Sequence, residues 1–302
     1  MSANGSAPLN AFCVDLEEWF HICDVETPYS DPASWDRAPA IVERDTDVLL
    51  QMLAEANARA TFVAVGWIAE KYPQLVRRIA EQGHEVGCHG YYHRLVFEQT
   101  PAEFRAEIRR AKQVIEAASG RPAVCFRAPG FSMKRECFWA YPILVDEGFT
   151  ADISIVPARR AHGGVSDFEQ DPFWLRTSGG EIAVYPVSVM RLGGRAVPFS
   201  GGGYLRMFPL SLVRHGFAQN HREGRPVMTY IHPREIDPRQ PRLKLPATKS
   251  FKYYVGIAGC ADKLRRLLRE YRFASVAEVL RAHPPRESRE YRDGEIVAVT
   301  AA

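Results

Sequence analysis

His89-Gly90-Tyr91-Tyr92-His93 follows directly on His84 to Cys88, a short apolar run that reads as a buried strand. Two histidines with three residues between them can present both imidazoles to one metal ion if the segment turns once, as a helix does. A carboxylate from another strand end would supply a third ligand. Two nitrogens and one oxygen leave positions open for water and substrate, as catalytic zinc requires and structural zinc does not. Acidic side chains of the right kind stand upstream in Val14-Asp15-Leu16-Glu17-Glu18, just after another apolar run, Asn10 to Val14.

Outward from these two stretches the chain alternates strand-like and helix-like segments. Ile41 to Asn57 carries apolar residues at helical spacing, Ala60 to Val65 reads as a strand, and Leu75 to Glu81 as a helix closed by Gly83. Thr100-Pro101-Ala102-Glu103 spells a helix start, with a capping threonine, a proline at the first position and a glutamate three residues on; Gly120 marks its end. Val124 to Phe126, Thr150 to Ile153, Ile182 to Val187 and Val227 to Ile231 are further strands, with helices near Arg135 to Glu147, Pro209 to Asn220 and Gly256 to Arg272. Repeated strand–helix units predict an α/β fold with a parallel sheet, a distorted or incomplete (β/α) barrel. Chemistry in such barrels sits where strands end. Asp15, His89, Arg127, Asp152 and His232 all lie at or just past such ends.

Composition narrows the function. With 46% hydrophobic and 25% charged residues the chain is of ordinary globular type, and a net charge of +3 without a block of Lys and Arg argues against nucleic acid. No apolar run is long enough to span a bilayer, and Met1 to Asn10 lacks the features of a signal peptide. Six cysteines without a CxxC pair, several in apolar strands, predict buried free thiols and a cytoplasmic setting. Residues 1–9 read as a flexible N-terminus, 10–284 as one barrel domain with a glycine-rich insertion at about 163–206, and 285–302 as a polar tail. The insertion contains Ser200-Gly201-Gly202-Gly203-Tyr204, either a close backbone approach to a ligand or a flexible loop.

Five segments, in order, carry a resemblance to a known family. They are Val14-Asp15-Leu16-Glu17-Glu18-Trp19-Phe20, His89-Gly90-Tyr91-Tyr92-His93, Phe126-Arg127-Ala128-Pro129-Gly130, Ala151-Asp152-Ile153-Ser154 and Tyr230-Ile231-His232-Pro233. Over roughly residues 10 to 280 the chain resembles the NodB-homology polysaccharide deacetylases, carbohydrate esterase family 4. Through Gly201-Gly202-Gly203-Tyr204-Leu205-Arg206 and the segment after it, the chain looks most like the subfamily associated with exosortase/PEP-CTERM loci. The resemblance implies the barrel of that family and a metal-dependent hydrolase, with zinc as the expected ion. The substrate it implies is an N-acetylated oligo- or polysaccharide, with a place in exopolysaccharide biosynthesis.

It also implies roles. Asp15 is the expected base, Arg127 its ion-pair partner, and His232 the acid, with Asp152 beside His232 to favour the imidazolium. His89 and His93 are expected metal ligands. The family has two adjacent aspartates where this chain has Asp15-Leu16-Glu17-Glu18. Strand alternation puts Glu17 on the side of Asp15 and makes it the third ligand, whereas a local kink would bring in Glu18 instead. A backbone N–H just after Pro129, at Gly130 or Phe131, is expected to meet the oxyanion. Trp19, Phe20, Trp174 and Tyr204 could stack on sugar rings or belong to the core; His21 lies near enough to the first motif to line a cleft. Two other readings remain: the same site acting on a cyclic ureide or imide, and a carbohydrate-binding relative without catalysis.

Overall fold

A computed structural model describes residues 8–160 and 163–299. Of the expected flexible N-terminus only Pro8 and Leu9 fall inside that range; His162 and residues 300–302 fall outside it. The first half runs β1 (Leu9–Leu16), α1 (Val42–Glu55), β2 (Thr61–Ala64), α2 (Gly66–Lys71), α3 (Pro73–Glu81), β3 (Glu85–Cys88), α4 (Pro101–Ser119), β4 (Cys125–Phe126), α5 (Ala140–Asp146) and β5 (Ala151–Asp152). Then come β6 (Phe173–Thr177), β7 (Gly180–Val184), β8 (Val189–Leu192), β9 (Arg195–Pro198), α6 (Gly202–Met207), α7 (Leu210–Arg222) and β10 (Met228–Ile231). The chain closes with α8 (Ala247–Tyr254), α9 (Cys260–Glu270), β11 (Arg272–Ala274), α10 (Val276–Ala282), β12 (Glu287–Arg292) and β13 (Glu295–Ala298).

The α4 start behaves as its sequence predicts: Thr100 and Glu103 form a reciprocal capping box, Pro101 follows, and Gly120 ends the helix in the left-handed conformation at φ 68°. Strands β10, β1, β2, β3, β4, β5 and β7 pair side by side, all in parallel. The antiparallel β6 and then the β12–β13 hairpin extend the sheet beyond β7, and β11 joins the start of β1. Among the described residues no ladder joins β10 back to the far edge, so the barrel is incomplete. The glycine-rich insertion fills the gap. Ser188 Oγ accepts from Met228 N (2.9 Å), Ser200 Oγ donates to Met228 O (2.7 Å), and Gly201 bridges Tyr230. The segment read as a polar tail is instead structural, because β12 pairs with β6 through Glu287 to Glu290.

Strand alternation sets what faces the barrel interior. In β1, Phe12, Val14 and Leu16 join the large core under the helices, whereas Ala11 and Cys13 join a second cluster inside the barrel. Asp15 continues the Ala11–Cys13 side. The same parity holds in β4, where Cys125 faces in and Arg127 follows it, and in β10, where Met228 and Tyr230 face in and His232 follows. In β3, Val86 and Cys88 belong to the outer core, which leaves Gly87 and then His89 on the inner side. Gly87 has no room for a side chain: a Cβ there would sit 2.6 Å from Cys125 O.

Candidate functional site

The inward-facing residues at these strand ends converge on one cleft of about 660 Å³ at the C-terminal rim. Glu17, His89 and His93 place one potential ligand atom each within 4.8 Å of one another. The His89–His93 segment is not a helical turn as its spacing predicts. It folds back through left-handed residues, Gly90 at φ 71° and His93 at φ 54°, and holds the two rings 5.0 Å apart. A histidine in that conformation is strained, and such strain is held where a side chain must be aimed.

Each imidazole is oriented from behind. His89 Nδ1 lies 2.7 Å from Arg127 O; a carbonyl only accepts, so Nδ1 carries the proton and Nε2 offers a lone pair. Burial pushes the His89 pKa down to about 4, which keeps the ring neutral and able to bind metal. His93 Nδ1 contacts Cys23 Sγ at 3.4 Å, leaving its Nε2 toward Glu17. Glu17 Oε2 is buried and lies 2.7 Å from His93 Nε2, yet no donor is aligned on it as a hydrogen bond. Burial opposes ionisation of Glu17, but the positive charge of His93, His232 and Arg234 outweighs it and holds the carboxyl below its usual range. A buried carboxylate facing two imidazole nitrogens, with an orphaned oxygen, is a site shaped for a divalent cation. The residues fit the metal.

Glu18 does other work. Its carboxylate accepts from Ile41 N (3.0 Å) and Val42 N (3.1 Å) at the start of α1, with burial pushing its pKa up to about 7. No kink brings it into the ligand set. His21 is buried beside the ligands, stacked on His93 at 5.4 Å, and burial holds its pKa well below the ordinary value.

Next to this cluster lie Asp15 and His232. Asp15 is ion-paired with Arg127, which is wholly buried and also donates to Ile153 O (3.3 Å). The other Asp15 oxygen is 3.6 Å from His232 Nε2. His232 Nε2 is also 3.3 Å from Glu17 Oε1.

The partner of His232 is not Asp152. Ala151 and Ile153 face the barrel interior, so Asp152 points the other way, where it accepts from Tyr141 Oη (3.1 Å) and the Ser154 hydroxyl. His232 Nδ1 lies 3.1 Å from Glu235 Oε2, and Glu235 is in turn bound by Arg206 (3.1 Å). Burial opposes a charged His232, but Glu17 and Glu235 outweigh it and raise its pKa. Glu235, Arg206 and Cys23 are absent from the residues expected from sequence. The signal for Glu235 was present: His232-Pro233-Arg234-Glu235 has the spacing of a capping box, which the structure forms.

Two glycines of the run make room for Glu235 and for Tyr230, and Gly203 lines the cleft. A Cβ on Gly202 would overlap Glu235 Oε2 at 1.5 Å, and one on Gly201 would meet the Tyr230 ring at 2.2 Å. Gly130, Phe131 and Tyr204 line the cleft. The Phe131 N–H is taken by Ala128 O (3.0 Å), which leaves the Gly130 N–H as the amide without an acceptor among the described residues. Trp19 is not in the cleft: it is 4% exposed, donates to Pro39 O, and packs edge-on against Phe20 and Tyr29. Trp174 sits on β6, also away from the cleft lining.

Comparison with known proteins agrees with this geometry. Residues 33–141 match the polysaccharide deacetylase family, and residues 153–281 match a domain of unknown function, DUF3473. A peptidoglycan-N-acetylglucosamine deacetylase of Bacillus cereus is 32% identical over 96 residues, 32% of this chain and 35% of that protein. A chitooligosaccharide deacetylase of Azorhizobium caulinodans is 33% identical over 85 residues, 28% of this chain and 40% of that protein. The match therefore spans well under half the length of either relative. In fold, the crystal structure of a candidate polysaccharide deacetylase from Mycobacterium smegmatis superposes with a TM-score of 0.64 at 21% identity, covering 93% of this chain and 92% of the other. A peptidoglycan N-acetylglucosamine deacetylase structure superposes with a TM-score of 0.50 at 16% identity, covering 92% and 90%. Residues 33–141 thus carry the sequence pattern of the polysaccharide deacetylase family, and the chain as a whole shares the fold of the Mycobacterium smegmatis structure.

Proposed function

We propose that this chain is a metal-dependent deacetylase that hydrolyses the N-acetyl group of an amino sugar within an oligo- or polysaccharide. The observation that carries the reading is the Glu17–His89–His93 ligand set beside the Asp15–Arg127 pair and His232. Glu17, His89 and His93 would hold the ion, most simply zinc, which when bound would polarise the amide carbonyl and acidify a water. Asp15, aimed by Arg127, takes the proton from the attacking water as its oxygen adds to the carbonyl carbon. The Gly130 N–H is the amide available to the developing oxyanion. His232, charged with the help of Glu235, gives its proton from Nε2 to the leaving nitrogen. The C–N bond breaks, and acetate and a free amine leave. A placement in exopolysaccharide biosynthesis rests on the resemblance to exosortase-associated deacetylases, and a cytoplasmic site of action on the six free cysteines.

The test is metal content by elemental analysis alongside acetate release from N-acetylglucosamine oligomers, with and without chelator. About one metal per chain and chelator-sensitive release are expected. Bound metal without acetate release from any glycan would reject the substrate class, and failure to bind metal under any loading would reject the site.

A further inference from the structure

Four carboxylates face the cleft, and each is engaged within the protein. Asp15 pairs with Arg127, Glu17 lies among the metal ligands with Arg234 3.7 Å away, and Glu235 holds His232 and Arg206. Asp24 is bound by Lys249 and Lys252 at 2.8 Å each and by the Tyr253 hydroxyl. These contacts engage Arg206, Arg234, Lys249 and Lys252, four of the six Lys and Arg side chains that line the cleft. The other two are Arg159 and Arg160. Among the described residues neither makes an ion pair, and no Asp or Glu occurs in the sequence from Ile153 to Ser166. Arg159 is exposed and Arg160 half-buried, so both are open to a ligand.

Arg160 is also placed. Its guanidinium carbon lies 4.9 Å from the centre of the Phe131 ring, whose residue follows the Gly130 amide directly. The cation therefore sits beside the position where the acetamide would be held. Solvent-facing arginines on a surface need no partner, but two unbalanced guanidinium groups at the wall of a cleft whose floor binds a divalent cation create a field that selects anions. The planar fork of arginine matches carboxylate and phosphate oxygens in pairs.

We propose that Arg159 and Arg160 form a subsite for a negatively charged group on the saccharide, so that the substrate is an acidic one bearing a carboxylate or phosphate next to the N-acetylated sugar. This rests on the deacetylase reading for its turnover, but the anion subsite can be read separately by binding.

Acetate release is measured on three substrates: a neutral N-acetylglucosamine oligomer, an oligomer alternating N-acetylglucosamine with glucuronic acid, and N-acetylglucosamine 1-phosphate. Wild type and the double variant Arg159→Gln/Arg160→Gln are compared. One charged substrate should show a KM lower than the neutral one by about tenfold or more, and the double variant should erase that difference mainly through KM. Whether the uronate or the phosphate is favoured identifies the source of the charge. Equal KM values for neutral and charged sugars, or a preference that survives the double substitution, overturns the proposal. If no substrate releases acetate, the deacetylase reading fails, and calorimetric titration of the zinc-loaded protein with the same two charged sugars decides the subsite. Binding weakened about tenfold in the double variant sustains it, and equal or absent binding in wild type overturns it.

Discussion

Replacing Glu18 by alanine should cost stability and leave the metal site intact, whereas the same change at Glu17 should do the reverse. Glu18 is 1% exposed, and its carboxylate accepts from Ile41 N, just before α1, and from Val42 N, its first amide. Each buried N–H left without an acceptor costs about 1–3 kcal/mol, so Glu18→Ala should lower stability by about 2–6 kcal/mol. With an unfolding entropy of roughly 2.1 cal/mol/K per residue, the 302-residue chain changes by about 0.6 kcal/mol per degree, which puts the fall in Tm at about 3–10 °C. Glu17→Ala removes a ligand atom, so bound metal should fall from about one per chain to near zero. Calorimetric melting and elemental analysis on both variants read the two effects. Loss of metal in Glu18→Ala with an unchanged Tm, or retained metal in Glu17→Ala, would refute the assignment of ligand and cap.

Asp15→Asn should keep its metal and lose about a hundredfold or more in kcat, measured by acetate release; a near-normal rate removes Asp15 as the base. Glu235→Gln should lower kcat by about tenfold or more with little change in KM, because His232 loses the charge that favours its protonated form. An unchanged kcat would mean that the acid needs no carboxylate behind it. Asp152 should matter for stability instead. Burial raises its pKa to about 6 from an ordinary 3.8, so the folded state holds this proton more tightly than the unfolded chain does. Its contribution is therefore fully present below pH 3.8 and is lost as pH rises through about 6, an effect of up to roughly 3 kcal/mol. Urea unfolding at pH 4 and pH 7 should show Asp152→Asn losing less stability across that interval than wild type, and parallel losses would contradict the burial argument.

Much of the site was legible before any coordinates. His89, His93, Asp15, Arg127 and His232 are recognisable because each follows a short apolar strand, and strand ends of a parallel barrel share one rim whatever the loops do. Glu17 could be preferred over Glu18 by alternation alone, and the structure gives the physical counterpart, a helix start that takes Glu18 for itself. The order of strands and the open side of the barrel were not legible. Neither was the β12–β13 hairpin, whose polar residues pair through their backbones and leave little pattern in the side chains.

Asp152 marks the boundary. Its place after a strand suggested the rim, but a shift of one residue along a strand turns a side chain to the opposite face, and only the packing of Ala151 and Ile153 inside the barrel reveals which face it takes. The true partner of His232 lies three residues further on, and its role depends on Arg206 and on Gly202, both contributed by the insertion. Motifs and their order are local properties that sequence records directly. Which groups meet across the cleft depends on register and on segments brought together from distant parts of the chain, and that Arg159 and Arg160 make no ion pair among the described residues is decided only when those segments pack.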